Sequence, residues 1–206
     1  MPYASAWQFQ DNQSSINTLE GALGSGANFY WWGHCNTDVI APTPSGVNFV
    51  SSGMVGQVLR NNADQGKIAH SYRLVILDGC EGYSKAWADA FGIVYQANGS
   101  SYTVDDYNNR FHLDPQAFVG WTVDTPAPSG WALSVDGIQE WQNALDVLFS
   151  EWQLGYPLNV CIKDYTDTLV SYGFTSDNGF LGFYGSGVAV KQYKISGCVD
   201  LTTFDR

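Results

Sequence analysis

The chain has 206 residues, of which 45% are hydrophobic, 15% are aromatic and only 14% are charged, a composition that excludes a disordered chain. The 20 acidic residues outnumber the 9 basic ones, and the net charge of −11 disfavours nucleic acid as a partner because its phosphates would be repelled. No apolar run approaches the ~20 residues of a membrane span. We expect one domain over residues 1–206, standing alone or forming part of a longer protein.

The first predicted elements lead to a histidine. A weak strand near residues 6–9 is followed by a helix whose apolar residues repeat at helical spacing over 16–23. Residues 27–32 are a dense aromatic run, typical of a β-strand, which continues into Gly33 and His34. This strand therefore delivers His34 at its carboxyl end.

A second strand is predicted to deliver a cysteine beside it. Residues 74–77 are an unbroken Leu, Val and Ile run, typical of a strand buried on both faces of a parallel sheet, and Cys80 follows just beyond. A helix predicted over 51–60 crosses between the two strands, and a connection of that length makes them parallel. We expect them to be neighbours, so that His34 and Cys80 meet at the edge where α/β sheets place their ligands.

The remaining elements complete an α/β fold. They are a helix over 85–91 capped by Ser84, a polar excursion over 96–114, a strand over 117–121, a helix from Asp136 that ends before Gly155, and a closing hairpin over 180–191. Strands that alternate with helices predict a mostly parallel sheet, and we expect a three-layer α/β/α sandwich.

Cysteine and histidine at adjacent strand ends favour nucleophilic catalysis. This chemistry needs a thiolate, a base that exchanges its proton, and N–H donors aimed at the developing oxyanion. Cys80 and His34 supply the first two, and the backbone amides of Gly33, Cys35 and Cys80 are the candidate donors. The alternative is an inert buried thiol and a structural histidine, the commoner situation for any single residue. Two such residues at the ends of parallel strands, each flanked by glycine, favour the catalytic interpretation.

The aromatic strand with Gly33 and His34, the crossover helix, and the segment 74–82 with Cys80 together resemble the caspase-like cysteine peptidases. These include caspases, legumain, gingipains, clostripain and separase. The resemblance covers residues 16–165 by topology and implies a cysteine endopeptidase in which Cys80 is the nucleophile and His34 its partner. It also implies that residues 118–131, a strand and loop, help to form the pocket for the residue before the cut bond.

The resemblance and the charge together predict specificity. Trp121, Asp124 and Trp131 fall in the pocket segment, and Glu81 follows the nucleophile. A partly desolvated carboxylate binds a cationic side chain strongly, so we expect cleavage after Arg or Lys, as in gingipains and clostripain, with Asp124 as the pocket acid. The alternative role for Asp124 is that of a turn residue. Asp78 is expected to be structural.

One departure from the family supports a second interpretation. The glycine that follows the family's histidine is Cys35 here, which adds a side chain where substrate backbone is expected to pass. The alternative function is therefore a catalytically inactive caspase-like binding domain, or a structural domain of a larger surface protein.

The expected partners are a polypeptide substrate and other domains of a parent chain, with no cofactor. No spacing of Cys and His indicates a metal site: His70 and His112 stand apart, and Cys161 lies in an apolar segment typical of a core. Four cysteines are too few for a disulfide scaffold. The aromatic-rich, lysine-poor composition favours an extracellular or cell-surface location, such as that of a secreted bacterial protein.

Overall fold

The computed structural model of the protein describes residues 28–41, 49–64, 72–122, 135–174 and 193–205. Its strands are β1 (Asn28–Trp32), β2 (His34–Cys35), β3 (Val39–Ala41), β4 (Val50–Ser51), β5 (Leu74–Asp78), β6 (Ala117–Trp121) and β7 (Tyr193–Gly197). Its helices are α1 (Ser52–Asp64), α2 (Lys85–Ala90), α3 (Val135–Gln153) and α4 (Leu158–Ser171), with a π-helix at Asp106–Phe111. Within these ranges no helix is both long and apolar enough to cross a bilayer.

A four-stranded sheet in the order β1-β5-β6-β7 forms the centre of the fold. β1 is parallel to β5 and β5 is parallel to β6, whereas β7 runs antiparallel to β6. The prediction of an α/β fold with a mostly parallel sheet is therefore confirmed. So is the parallel pairing of the aromatic strand with the Leu, Val and Ile strand, which α1 connects.

The side chains of the central strands alternate between two buried clusters, one on each face of the sheet. On β5, Leu74 and Ile76 pack with α3 and α4. Val75 and Leu77 point to the opposite face and pack with α1 and α2. All residues of β5 and β6 are buried, as expected for strands covered on both sides. We call the first side the Asp78 face, because Asp78 continues the alternation, and the second the Trp87 face, after the fully buried Trp87 of α2.

The stretch after β1 forms a small second sheet that the sequence does not predict. Strands β2, β3 and β4 pair in that order and are antiparallel. A tight turn joins β2 to β3, in which the Asn36 N–H donates to the Val39 carbonyl at 2.8 Å. The Asn36 side-chain oxygen accepts from the N–H groups of Asp38 and Val39, an arrangement that favours Asn at this position. His34 and Cys35 are therefore on a hairpin.

Most predicted elements are present, with shifts at their ends. Ser84 caps α2 as predicted, since its Oγ accepts from the Trp87 N–H at 3.3 Å. Helix α4 and strand β7 are elements that the sequence does not predict. The predicted strand and helix over 6–23 and the predicted hairpin over 180–191 lie outside the described residues.

Candidate functional site

His34 and Cys80 leave the sheet from neighbouring strands at one edge. Trp32 at the end of β1 is the register partner of Asp78 at the end of β5, and the Gly33 N–H donates to the Asp78 carbonyl at 3.4 Å. His34 is exposed and Cys80 is partly exposed. We call the residues that follow these two strand ends, 33–35 and 79–82, the strand-end site. Its location is the edge at which parallel sheets place ligands.

Cys80 lies in a tight turn. The Gly82 N–H donates to the Gly79 carbonyl at 3.2 Å, with Cys80 and Glu81 as the two central residues. Glu81 has a φ of 51°, in the left-handed region, which costs a residue with a side chain about 1 kcal/mol relative to glycine. The chain thus keeps a carboxylate at a strained position and exposes it beside the candidate nucleophile.

The Cys80 turn contacts the neighbouring strand ends closely because two glycines leave room. A Cβ on Gly79 would collide with the Gly33 carbonyl oxygen and lie 2.5 Å from the Cys35 Cβ. A Cβ on Gly120 of β6 would lie 2.7 Å from the Tyr83 nitrogen, whose N–H donates to the last carbonyl of β6 at 2.9 Å. The turn is therefore fixed between β1 and β6, and any larger residue at these two glycines would displace it.

The β2–β3 hairpin is held by the segment that follows Cys80. The Trp87 Nε1–H donates to the Asn36 carbonyl at 3.0 Å, and the Ser84 Oγ–H donates to the Thr37 carbonyl at 2.5 Å. Because Trp87 is fully buried, its indole N–H depends on this carbonyl in place of water. These bonds connect the two halves of the strand-end site through α2.

Cys35 presents an amide to the Cys80 turn. In an antiparallel hairpin, hydrogen-bonded and non-hydrogen-bonded residue pairs alternate. Asn36 and Val39 form a hydrogen-bonded pair, so the next pair, Cys35 and Ile40, is non-hydrogen-bonded. The Cys35 N–H consequently faces away from β3. Its nitrogen lies 3.4 Å from the point that a Cβ on Gly79 would occupy, so this N–H is next to the nucleophile turn.

The thiol of Cys35 is also part of the strand-end site. Burial raises the pKa of Cys35 well above that of an ordinary thiol, and the negative charges of the neighbouring Cys80 and Glu81 raise it further. The Cys35 Sγ–H donates to the Asn36 carbonyl at 3.3 Å. Cys35 therefore belongs to the same site as the Cys80 turn, against which its Cβ packs.

Beneath the strand-end site, Asp78 is buried within a ring of hydrogen-bond donors. Its side chain is 1% exposed. The Trp121 Nε1–H donates to one carboxylate oxygen at 2.7 Å, and the hydroxyls of Tyr165 and Tyr30 donate to the other at 2.6 and 3.2 Å. These donors belong to β6, α4 and β1. Asp78 is thus structural, as expected, although its side-chain partners are remote residues and not local amides.

Burial dominates the ionisation of this cluster. Desolvation raises the pKa of Asp78 to about 6, and the hydrogen bonds from its three donors act in the opposite direction. The Trp141 indole also lowers this pKa, although it lies near the carboxylate without forming a hydrogen bond to it. Burial also raises the pKa values of Tyr30, Tyr165 and Tyr193, and the Asp78 charge raises them further. These hydroxyls therefore stay protonated near neutral pH.

The predicted pocket residues have different surroundings. Trp121 is fully buried, with its ring centroid 4.3 Å from that of Tyr193, so it supports the sheet edge from within the core. Glu81 is exposed in the nucleophile turn. Asp124 and Trp131 lie outside the described residues. The pocket assignments of all four residues stay predictions.

Other candidate positions are away from this edge. Cys161 is fully buried in the core of the Asp78 face, as expected. A groove of about 480 Å³ lies between β7 and α4, with Ser100, Lys163 and Lys194 among its lining, and it contains no residue of the strand-end site. Among the described residues, no cluster of three or more His, Cys, Asp or Glu side chains could hold a metal ion.

Comparison of the chain with known protein families, with curated proteins and with solved structures finds no match. The strand-end site and the ring around Asp78 are therefore the features from which a function can be inferred.

Proposed function

We propose that the protein is a cysteine peptidase of the caspase-like type, with Cys80 as nucleophile and His34 as its partner. The observation that carries the proposal is the register of β1 and β5, in which Trp32 is opposite Asp78. This register brings the residues after both strands to one edge of the sheet. The bonds from α2 to the β2–β3 hairpin then fix the two loops relative to each other.

The same proposal includes the fold, a caspase-like three-layer α/β/α sandwich. Helices α1 and α2 pack on the Trp87 face and helices α3 and α4 on the Asp78 face, which supports a three-layer α/β/α sandwich. The parallel order β1-β5-β6, with candidate residues at the ends of the first two strands, supports a caspase-like arrangement.

In the proposed reaction, the Cys80 thiolate attacks the scissile carbonyl carbon, and the carbonyl oxygen becomes an oxyanion. The His34 imidazolium donates a proton to the leaving amine as the C–N bond breaks. Water then hydrolyses the thioester and restores the thiol. The Cys35 amide is a better candidate oxyanion donor than the Gly33 amide, because the Gly33 N–H already donates to the Asp78 carbonyl. The Cys80 amide is the second candidate donor.

A cationic residue before the cut bond is the proposed specificity. Glu81 supports it, since its exposed carboxylate is beside Cys80 in a conformation that would be less costly for glycine. Asp124 and Trp131 complete the proposed pocket, as the resemblance alone implies. A panel of peptide substrates tests this part separately: preference for Asp or Asn at that position would remove the assignment.

Reactivity of the cysteines tests the catalytic proposal. An acyloxymethyl ketone or iodoacetamide should label Cys80 near neutral pH far faster than the buried Cys161 and Cys198. Cys80→Ala should abolish peptide hydrolysis and retain the cooperative melting transition, whereas the matched Cys161→Ala variant should retain hydrolysis. His34→Ala should abolish hydrolysis as well. Equal, slow labelling of all four cysteines would refute the catalytic role.

One observation favours a second candidate, a binding domain without turnover. The Cys35 side chain lies against Gly79, where a caspase-like peptidase has a glycine and substrate backbone is expected to pass. Substitution of Cys35 by Gly separates the two candidates. A peptidase should keep or gain activity in this variant, while a binding domain should hydrolyse no peptide in either form.

A further inference from the structure

Two partly exposed cysteines belong to the strand-end site. Cys35 and Cys80 follow neighbouring parallel strands, and the Cys35 Cβ lies 2.5 Å from the point that a Cβ on Gly79 would occupy. Gly79 is the residue directly before Cys80, so the Cβ of Cys35 packs against the turn that carries Cys80. Both residues are partly exposed, and neither forms a disulfide in this structure.

The other two cysteines are in a different situation. Cys161 and Cys198 are fully buried in the core of the Asp78 face. The Cys161 Sγ–H donates to the Tyr156 carbonyl at 3.6 Å, and the Cys198 Sγ–H donates to the Asp200 carboxylate at 3.2 Å. They therefore serve as internal controls for any chemistry that requires an accessible pair of thiols.

We infer that Cys35 and Cys80 are a site of reversible oxidation, at which a hydroperoxide converts the two thiols into an intramolecular disulfide. The two cysteines belong to separate chain segments, which the pairing of β1 with β5 and the bonds from Ser84 and Trp87 to the β2–β3 hairpin hold together. A link between the two cysteines would cross-link the His34 hairpin to the Cys80 turn directly. That this link silences catalysis rests on the proposed function, whereas the link itself does not.

The reaction has two balanced steps. The Cys80 thiolate attacks one oxygen of the hydroperoxide, the O–O bond breaks, an alcohol or water leaves, and Cys80 becomes a sulfenic acid. The Cys35 thiolate then attacks the Cys80 sulfur, the S–S bond forms, the S–O bond breaks, and the hydroxide leaves as water with the Cys35 proton. Two electrons pass from the sulfurs to the peroxide, and a dithiol reductant reverses the change.

The order of the steps follows from the environment of Cys35. Burial holds its proton, so Cys35 is a poor first nucleophile toward peroxide. Once Cys80 is a sulfenic acid, its sulfur is the electrophile that the Cys35 thiolate attacks. Disulfide formation should accelerate as the pH rises, because the Cys35 thiol must ionise before it attacks.

The test is oxidation of the folded, full-length chain by hydrogen peroxide. Remaining thiols are capped with N-ethylmaleimide, the protein is digested without reductant, and mass spectrometry searches for linked peptides. We expect a peptide pair joined through Cys35 and Cys80, two hydrogen atoms lighter than its parts, that dithiothreitol separates. We also expect loss of Cys80 labelling by iodoacetamide after oxidation and its recovery after reduction.

Two variants sharpen the test. Cys35→Ser should give no linked pair and should accumulate sulfinic acid at Cys80, while Cys161→Ser should behave as the wild type. If Cys35→Ser fails to fold, the peptide pair in the wild type decides alone. Irreversible oxidation of Cys80 without a linked pair, or a disulfide between two chains, would overturn the inference. A linked pair in a protein without peptidase activity would leave the inference standing and refute only the proposed function.

Discussion

The two faces of the sheet support the same edge by different chemistry. On the Trp87 face, the support comes from neutral donors at the rim: the Trp87 indole and the Ser84 hydroxyl donate to carbonyls of the β2–β3 hairpin. On the Asp78 face, it comes from a buried carboxylate that accepts from three elements at once. A buried charge binds its donors more strongly than a neutral acceptor, but it is costly to desolvate and it titrates. The comparison predicts that only the Asp78 face is sensitive to pH.

The largest effect is expected from removal of the carboxylate. Asp78→Ala leaves the donors on Trp121, Tyr165 and Tyr30 buried without their acceptor, so the free energy of unfolding should fall by about 3–5 kcal/mol. Asp78→Asn keeps the volume and one acceptor oxygen and should lose less. Urea unfolding followed by tryptophan fluorescence measures both. A loss below about 1 kcal/mol in Asp78→Ala would show that the ring does not depend on Asp78.

The pH dependence should be the next largest effect. The folded pKa of Asp78, about 6, lies above the ordinary value, so between about pH 4 and pH 6 the folded chain holds a proton that the unfolded chain has released. The contribution of Asp78 to stability is therefore greatest below pH 4 and falls by about 2–3 kcal/mol as the pH rises to 6. Above about pH 7 both states are ionised and the contribution is constant.

Asp78→Asn isolates this effect, because the other carboxyl groups titrate equally in both proteins. The difference in unfolding free energy between wild type and variant should change across the pH window by the same amount. Parallel curves for the two proteins between pH 4 and pH 7 would contradict the raised pKa.

A smaller effect is expected on the Trp87 face. Trp87→Phe removes the indole N–H that donates to the Asn36 carbonyl and leaves a small cavity, which should cost about 1–2 kcal/mol. Because Asn36 is exposed, a water molecule can donate to its carbonyl in place of the lost indole N–H. The cost should not vary between pH 4 and pH 7. If Trp87→Phe lost as much unfolding free energy as Asp78→Ala, the buried carboxylate would not support its face more strongly than the neutral donors support theirs.

The smallest effect should come from the surface ion pairs. Two of them can be compared directly, because one lies on a helix of each face. Lys85 contacts Asp89 at 2.5 Å on α2, and Lys163 contacts Asp167 at 2.6 Å on α4, both four residues apart and exposed. Lys85→Ala and Lys163→Ala should each leave the midpoint of urea unfolding unchanged within error. A clear shift in only one variant would show that surface charge contributes to the difference between the faces.

The parts of the fold that could be predicted are those specified by local sequence. The apolar run 74–77 and the aromatic run 27–32 identify two strands, and the helix between them makes the strands parallel. Their pairing then places His34 and Cys80 at one edge, which the register of β1 and β5 agrees with.

Elements with weak local signals were missed. Helix α4 begins directly after Pro157 with Val160 and Ile162 in its first turns, and β-branched residues lower helix propensity, so its start reads only as an apolar segment. The partners of Asp78 are beyond any local pattern, since Tyr30 and Tyr165 are 48 and 87 residues away. The burial of Trp121 follows from the alternation that it shares with Ala117 and Val119 on β6, whereas its assignment to the pocket comes from the resemblance and stays a prediction.

The distance along the chain between Asp78 and Tyr165 also has a consequence for how the protein folds. A contact across 87 residues forms slowly, because a long loop must close before the contact contributes any stability. Until helix α4 docks, the Asp78 carboxylate lacks the donor on Tyr165. Burying Asp78 before that point should be less costly when it is protonated. We therefore compare the refolding rate of the wild type with that of Asp78→Asn at two pH values. The ratio of the wild-type rate to the variant rate should be larger at pH 5, where Asp78 can hold a proton, than at pH 7. Acidity would then speed assembly of the sheet edge that carries His34 and Cys80.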